Sequence, residues 1–464
     1  METTKKLAEF IAKTKFDDIP KEAVYGAKQA FLDTIGVALG GSITPQAEIV
    51  IGMVRENRGQ PKAVVIGGGF RTSAAEAALA NGTSAHALDY DDTHGFVLGH
   101  PSTYLVPAVI AIGEETQVTG AEAIEAYIIG LEAAAGLGRC LTTGHYNKGW
   151  HATATIGVLG SAVAASKILK LSVDQTRMAL GIAASSAAGL KQNFGTMTKP
   201  LHAGNAARNG IVAAILAKRG FTADKNILES QFGFCALYSK DDKYYLEKIT
   251  ERFGKPFAIS SPGINVKPYP SCRRTHAAIG AMLEIVNKHN LSPEEFGEIE
   301  VRVDPSTLKV LIHSNAQSGL EGKFSMEFCM AIAILDKHVG LRQFTDEKVL
   351  NPQTQELMKK VKMIPDSTLA FPSKPKDEEH NPAILRIKMK NGQEFHQHVL
   401  FPKGNPAAPL SREELLLKYR DCAEQVLARD AIEKSINLID GLEKVQNLND
   451  LADVLMQQKL NIGH

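Results

Sequence analysis

The chain has 464 residues, 44% hydrophobic and 22% charged, which is enough length for a large buried core and two or three domains. Its 52 basic and 51 acidic side chains balance, so no overall field draws in nucleic acid or a membrane surface, and an anionic ligand must be held by a few local cations. Five widely spaced cysteines (Cys140, Cys235, Cys272, Cys329 and Cys422) without a C-x-x-C pair point to reduced thiols in a cytoplasmic setting. They argue against a disulfide frame, a structural zinc or a closely ligated iron–sulfur cluster.

The opening "METTKKLAEFIAKTKFDD" is amphipathic but broken by charge, so it lacks the apolar stretch of a signal peptide. No run reaches the roughly 18–20 apolar residues of a membrane span. Helical patterns then follow one another to about residue 265. Pro20 opens "KEAVYGAKQAFLDTIGVALGG", which stops at Gly40-Gly41. "TSAAEAALANGTSAHAL", "GAEAIEAYIIGLEAAAG" and "GVLGSAVAASKILK" are rich in Ala and Gly, which predicts closely approaching, mostly buried helices. Ser172 and Gln175 form a capping box, and the same device recurs at Ser292/Glu295 and Ser411/Glu414.

After about 265 the texture changes. "GEIEVRVDP" (297–305) puts Ile299, Val301 and Val303 on one strand face. Asn391-Gly392 between two alternating runs predicts a hairpin over 383–402. Helices are expected around 273–289 and 324–338, so this segment reads as an α+β unit. The charge run "KPKDEEH" (374–380) reads as a solvated loop, "FPKGNPAAPLSREE" (401–414) as a linker, and the remainder as helices that can return to the first bundle. The expected fold is mainly α, divided at 1–265, 266–403 and 404–464.

Four stretches concentrate polar residues among apolar or Gly-rich surroundings. The first, "HALDYDDTHGFVLGHPSTYLVPAVIAIGE" (86–114), carries His86, Asp89, Asp91, Asp92, Thr93, His94 and His100. The second (144–157) carries His145, Tyr146 and His151 beside the single tryptophan, Trp150. The third (191–210) holds Lys199, His202, Asn205 and Arg208. The fourth (265–280) holds Lys267, Tyr269, Cys272, Arg273, Arg274 and His276.

Taken singly, each has an ordinary structural reading: His86 and His202 as core or capping groups, Asp91 and Asp92 as turn residues. For metal chemistry, the three aspartates lack the glycine turn and terminal glutamate of an EF-hand, and no H-E-x-x-H is present. Cys272 beside two arginines suggests an acidified thiol but has no recognisable partner signature. "GGGF" (67–70) matches neither a P-loop nor G-x-G-x-x-G. General acid/base chemistry on a carboxylated substrate fits best. Lys199, Lys267 and Arg273 can hold carboxylates, while His100 and His151 titrate near neutral pH and can move protons.

"DYDDTHGFVLGHPS", "GWHATATIGVLGSAVAASKILKLS", "TKPLHAGNAARNG" and "KPYPSCRRTH", in that order, closely resemble the MmgE/PrpD family, which includes 2-methylcitrate dehydratases, cis-aconitate decarboxylases and iminodisuccinate epimerase. The resemblance implies a large all-helical domain, formed by the N-terminal part and the C-terminal tail, with a smaller α+β lid inserted. It also implies a homodimer and a cleft site using no metal or other cofactor. Position by position, the decarboxylase branch's site falls on Asp89, Thr93, His100, His151, Lys199 and Lys267. Thr93, Tyr146, Cys272, Arg273 and His276 are expected to contact substrate. Two positions depart from the decarboxylase pattern: Cys272 stands for a lid histidine and Phe328 for a lid tyrosine.

The leading expectation is therefore a hydro-lyase of the 2-methylcitrate dehydratase type acting on a di- or tricarboxylate. In it His100 or His151 removes an alpha proton, the other imidazole or Tyr146 protonates the leaving hydroxyl, and Asp89 and Thr93 position the proton-transfer groups. An epimerase and a decarboxylase are the alternatives, and a non-enzymatic helical interaction protein is the weakest reading.

Overall fold

The computed structural model describes residues 2–241, 243–370 and 381–456. The charge run at 374–380 lies outside them. The fold is mainly α. Helices α1 (Thr3–Lys13), α2 (Lys21–Gly41), α3 (Pro45–Glu56), α4 (Ala74–Ala87), α5 (Ser102–Thr116), α6 (Gly120–Lys148), α7 (Ala152–Ile168), α8 (Val173–Ser185) and α9 (Thr198–Lys218) fill the first half. A short hairpin, β1 (Ala63–Val65) and β2 (Phe70–Thr72), lies among them. No single helix among the described residues is long and apolar enough to cross a membrane.

The expected boundaries follow from local chemistry. Pro20 is the N-cap of α2, and the helix ends at Gly41. Ser172 caps α8, accepting from Gln175 N at 3.2 Å while its own N–H donates to the Gln175 side chain at 3.0 Å. The box at Ser292 instead closes a three-residue 3-10 turn that leads straight into a strand. The 144–157 stretch is less of a loop than its Gly and Asn content suggests. Helix α6 runs on to Lys148, changing course at Thr142 (φ 58°), before His151 caps α7.

Small residues set the packing. Where α4 crosses α9, a Cβ on Gly204 would sit 2.2 Å from the Leu79 carbonyl, so only glycine permits that approach. Helices α4, α5, α7 and α9 thereby form a tight centre in which α4, α5 and α7 are almost wholly buried and α9 buries one face.

The second half holds a four-stranded sheet ordered β4-β3-β5-β6: β3 (Phe296–Val303), β4 (Val361–Pro365), β5 (Ala383–Met389) and β6 (Glu394–Val399). β3 pairs in parallel with β4 and antiparallel with β5, and β5 and β6 make the Asn391-Gly392 hairpin. Ile299, Val301 and Val303 all point into the core, as their alternation requires. Helices His276–His289 and Met326–Asp336 cover that face. The hydrophobic side chains gather into two large clusters. One spans Leu7 to Ile259 and resumes from Leu415 to Leu455; the other spans Ala277 to Met389.

Candidate functional site

Helix α4 ends at Ala87, and the chain turns through Asp89, a non-glycine residue held at φ 51°. That turn aims the Asp89 carboxylate at two buried ammonium groups. Lys199, in the first turn of α9, donates to Oδ1 at 2.8 Å; Lys267 donates to Oδ1 at 3.0 Å and to the Asp89 carbonyl at 2.7 Å. Burial alone would raise the Asp89 carboxyl, but Lys199 and Lys267, followed by His100, more than offset it and hold the group below the usual carboxylate range. Burial works against the Lys267 charge, and Asp89 overcomes it, so Lys267 stays an ammonium. A carboxylate held this way is a poor base and a firm anchor.

Imidazoles line up on the other side. His86 (end of α4) and His100 (before α5) come from the first polar stretch, His151 (N-cap of α7) from the second and His202 (on α9) from the third. Asp91 lies between two of them: 3.0 Å from His86 Nδ1 and 2.6 Å from His100 Nδ1, the latter without the alignment of a straight hydrogen bond. His151 Nδ1 is 2.9 Å from His202 Nδ1, so one ring donates and the other accepts. Burial, reinforced by the positive charge of Lys199, drives all four downward: His86 to about 3 and His202 to about 4, with His100 and His151 also lowered. Asp91 partly restores the basicity of His86 and His100.

The three aspartates thus have three fates. Asp89 meets lysines and Asp91 meets imidazoles. Asp92 accepts from Ser102 Oγ and the Ser102 N–H, and burial pushes it up to about 8. Asp92 therefore anchors the start of α5 through Ser102, whereas Asp91 stands beside His86 and His100. The expectation that Asp89 orients an imidazole is corrected, because its contacts are with the lysines and Asp91 is the carboxylate beside His100.

A cavity of about 400 Å³ opens between these groups and the second cluster. Asp89, Thr93, His100, Tyr146, His151, Lys199, Lys267, Cys272 and Arg273 all line it. Thr93 is fixed by paired backbone bonds with Asn265, at 2.9 and 2.8 Å. Burial raises the Tyr146 phenol, keeping it neutral. Burial also raises the Cys272 thiol, which corrects the acidified-thiol suggestion. His276 does not reach the cavity. Its Nε2 lies 3.1 Å from the Ser271 carbonyl and its ring packs on Tyr269, so it supports the turn carrying Arg273 instead of contacting a ligand. Phe328 is fully buried beside Phe344, in the second core.

Several lining residues escaped the sequence reading. Lys191, with Nζ 3.7 Å from the Tyr146 ring centre, sits in a stretch already noted but carries no distinguishing neighbour. Ser306 and Lys309 follow β3, and Phe324 precedes Met326–Asp336. The sequence singles out nothing between the strand at 297–305 and the helix expected around 324–338. Together Lys191, Lys199, Lys267, Arg273, Arg274 and Lys309 face the cavity against Asp89 and Asp304. Nitrogens of His86, His100 and His151 come within 4.8 Å of one another, but the ammonium groups that depress these imidazoles equally oppose a dication there.

A cavity lined by these cations together with His100 and His151 has the chemistry to hold a polyanion and to move protons. Two family models match the sequence, the MmgE/PrpD N-terminal domain over residues 5–247 and the MmgE/PrpD C-terminal domain over residues 269–444, and the chain belongs to the MmgE/PrpD family. It is similar to the cis-aconitate decarboxylases of Mus musculus (29% identity, 97% of this chain and 93% of that protein) and Homo sapiens (28%, 97% and 94%). The Aspergillus terreus cis-aconitate decarboxylase is 27% identical over 97% of this chain and 95% of its own.

Proposed function

We propose that this protein is a carboxy-lyase that decarboxylates an unsaturated tricarboxylate of the cis-aconitate type. The observation that carries the reading is that Asp89, Thr93, His100, His151, Lys199 and Lys267 share one cavity, in a chain similar over nearly its whole length to cis-aconitate decarboxylases. This replaces the dehydratase as first reading.

Lys199, Lys267 and Arg273 hold the carboxylates. Breaking the C–C bond to one carboxylate releases carbon dioxide and leaves an electron pair on carbon, which spreads through the double bond towards a remaining carboxylate. The ammonium groups stabilise that charge in a site of low dielectric. A proton from His100 then ends on carbon, and solvent reprotonates the ring. His100 is the better donor because Asp91 stabilises its imidazolium, whereas His151 has only an imidazole behind it. Both rings are neutral in the empty site, and the negative charge of the arriving substrate raises them, so binding itself loads the proton.

The dehydratase reading stays second, favoured by Cys272, a neutral thiol where the decarboxylase branch has a histidine. We further propose that residues 266–403 form a lid over the helical residues 1–265 and 404–464, and that the enzyme is a cytoplasmic homodimer working without a cofactor. Incubation with cis-aconitate, 2-methylcitrate and iminodisuccinate tests the reaction: carbon dioxide from cis-aconitate is expected. A new alkene from 2-methylcitrate, or a change of optical rotation alone with iminodisuccinate, would overturn it.

A further inference from the structure

Three consecutive carbonyls at the end of α4 each accept from a different buried lysine. Leu88 O takes Lys323 Nζ, Asp89 O takes Lys267 Nζ at 2.7 Å, and Tyr90 O takes Lys418 Nζ at 2.7 Å. These carbonyls belong to the turn that follows the α4 C-terminus, near the negative end of the helix dipole, so cations suit them. Lys267 lines the cavity; Lys323 and Lys418 do not.

Lys418 reaches furthest. It comes from the helix Arg412–Ala423, far from the site in sequence. Besides Tyr90 O, its Nζ donates to Lys267 O at 2.9 Å and lies 2.6 Å from Asp33 Oδ1 on α2. The same ammonium stands 4.0 Å from the Tyr90 ring centre, and Tyr90 Oη donates to Pro268 O at 3.0 Å. The side chains of Leu88, Tyr90, Val37 and Cys422 share a small apolar cluster around this point. Close packing lets Arg412–Ala423 come this near: a Cβ on Gly40 of α2 would stand only 3.2 Å from Cys422.

We infer that Lys418 is a positioning residue for the Asp89–Lys267 pair, one ammonium that fixes both backbone segments carrying the pair from outside the cavity. The inference rests on the proposed role of Asp89 and Lys267 in the site. Asp33 neutralises the clamp, so the clamp and its counter-ion can be removed together.

Lys418→Met alone leaves Asp33 stranded and should lower the melting temperature. Lys418→Met/Asp33→Asn removes that buried charge and should recover most of the loss. The inference predicts that the double variant keeps kcat/KM about 10-fold to 100-fold below the parent, since small misplacements of catalytic groups carry penalties of this size. It also predicts weaker calorimetric affinity for citrate, used as a turnover-independent probe of Lys267. A double variant with recovered melting, parental kcat/KM and parental citrate affinity would show a merely structural role and overturn it. Lys418→Arg preserves the charge on Asp33, and its planar fork cannot repeat all three ammonium contacts, so reduced citrate affinity is expected; parental affinity there would also overturn the inference. Absence of carbon dioxide release by the parent protein would sink the decarboxylase reading alone, because the citrate measurements stand apart from turnover.

Discussion

The lysine side and the imidazole side of the cavity both contain a buried aspartate, and they use it in opposite ways. Asp89 is paired with the ammonium groups of Lys199 and Lys267, whereas Asp91 is paired with imidazole rings, which can gain or lose a proton. The first arrangement gives a static field for anions; the second gives a proton reserve that responds to them. The residues that look alike in the sequence, two positions apart, differ because both follow the end of α4 at Ala87 and the left-handed turn at Asp89 sends the two carboxylates to different partners.

The largest expected effect comes from the static side. Lys267→Met leaves Asp89 with one cation, and breaking a buried pair from one partner costs about 3–5 kcal/mol. Thermal melts should register that loss, and citrate affinity should fall with it. On the responsive side, His100→Ala should lower kcat by about 100-fold to 10,000-fold, the range of general acid catalysis, while calorimetry finds citrate still bound. If both variants lost binding equally, the division of labour would be wrong.

Asp91→Asn sharpens the comparison further. Asp91 raises the His100 pKa, and the proposed proton transfer requires protonated His100, so wild-type kcat/KM should fall as pH rises through that pKa. Removing the carboxylate lowers the pKa again, and the falling limb should move to lower pH. The smallest effect concerns Asp92. Its folded-state pKa, about 8, lies above the unfolded value, so the folded state binds the proton more tightly. That contribution to stability is present below the unfolded carboxylate pKa of about 4 and is lost as pH rises to about 8. Asp92→Asn should flatten the decline in melting temperature across that window and leave kcat unchanged.

Much of this was legible in the sequence where local chemistry decides. Pro20, the Ser172 box, the alternation at 299–303 and Asn391-Gly392 each set a boundary or a face through contacts a few residues long. Residue types at the site were legible too, because four polar stretches stood out against small apolar helices. What the sequence hid was pairing across distance. Nothing near Asp91 announces His100 as its neighbour in preference to Asp89, and nothing near Lys418 points 328 residues back to Tyr90. His276 shows the converse: it shares a motif with Arg273, yet the turn that exposes one to the cavity folds the other onto Ser271.

Trp150 is the only tryptophan in the chain, and it precedes His151 directly. Its ring packs 5.0 Å from Tyr238, and its backbone pairs with Leu190, next to the cavity residue Lys191. The protein therefore carries a built-in optical reporter at the wall of the site: emission excited at the red edge comes from one indole, and ligand titrations can be followed without adding a dye.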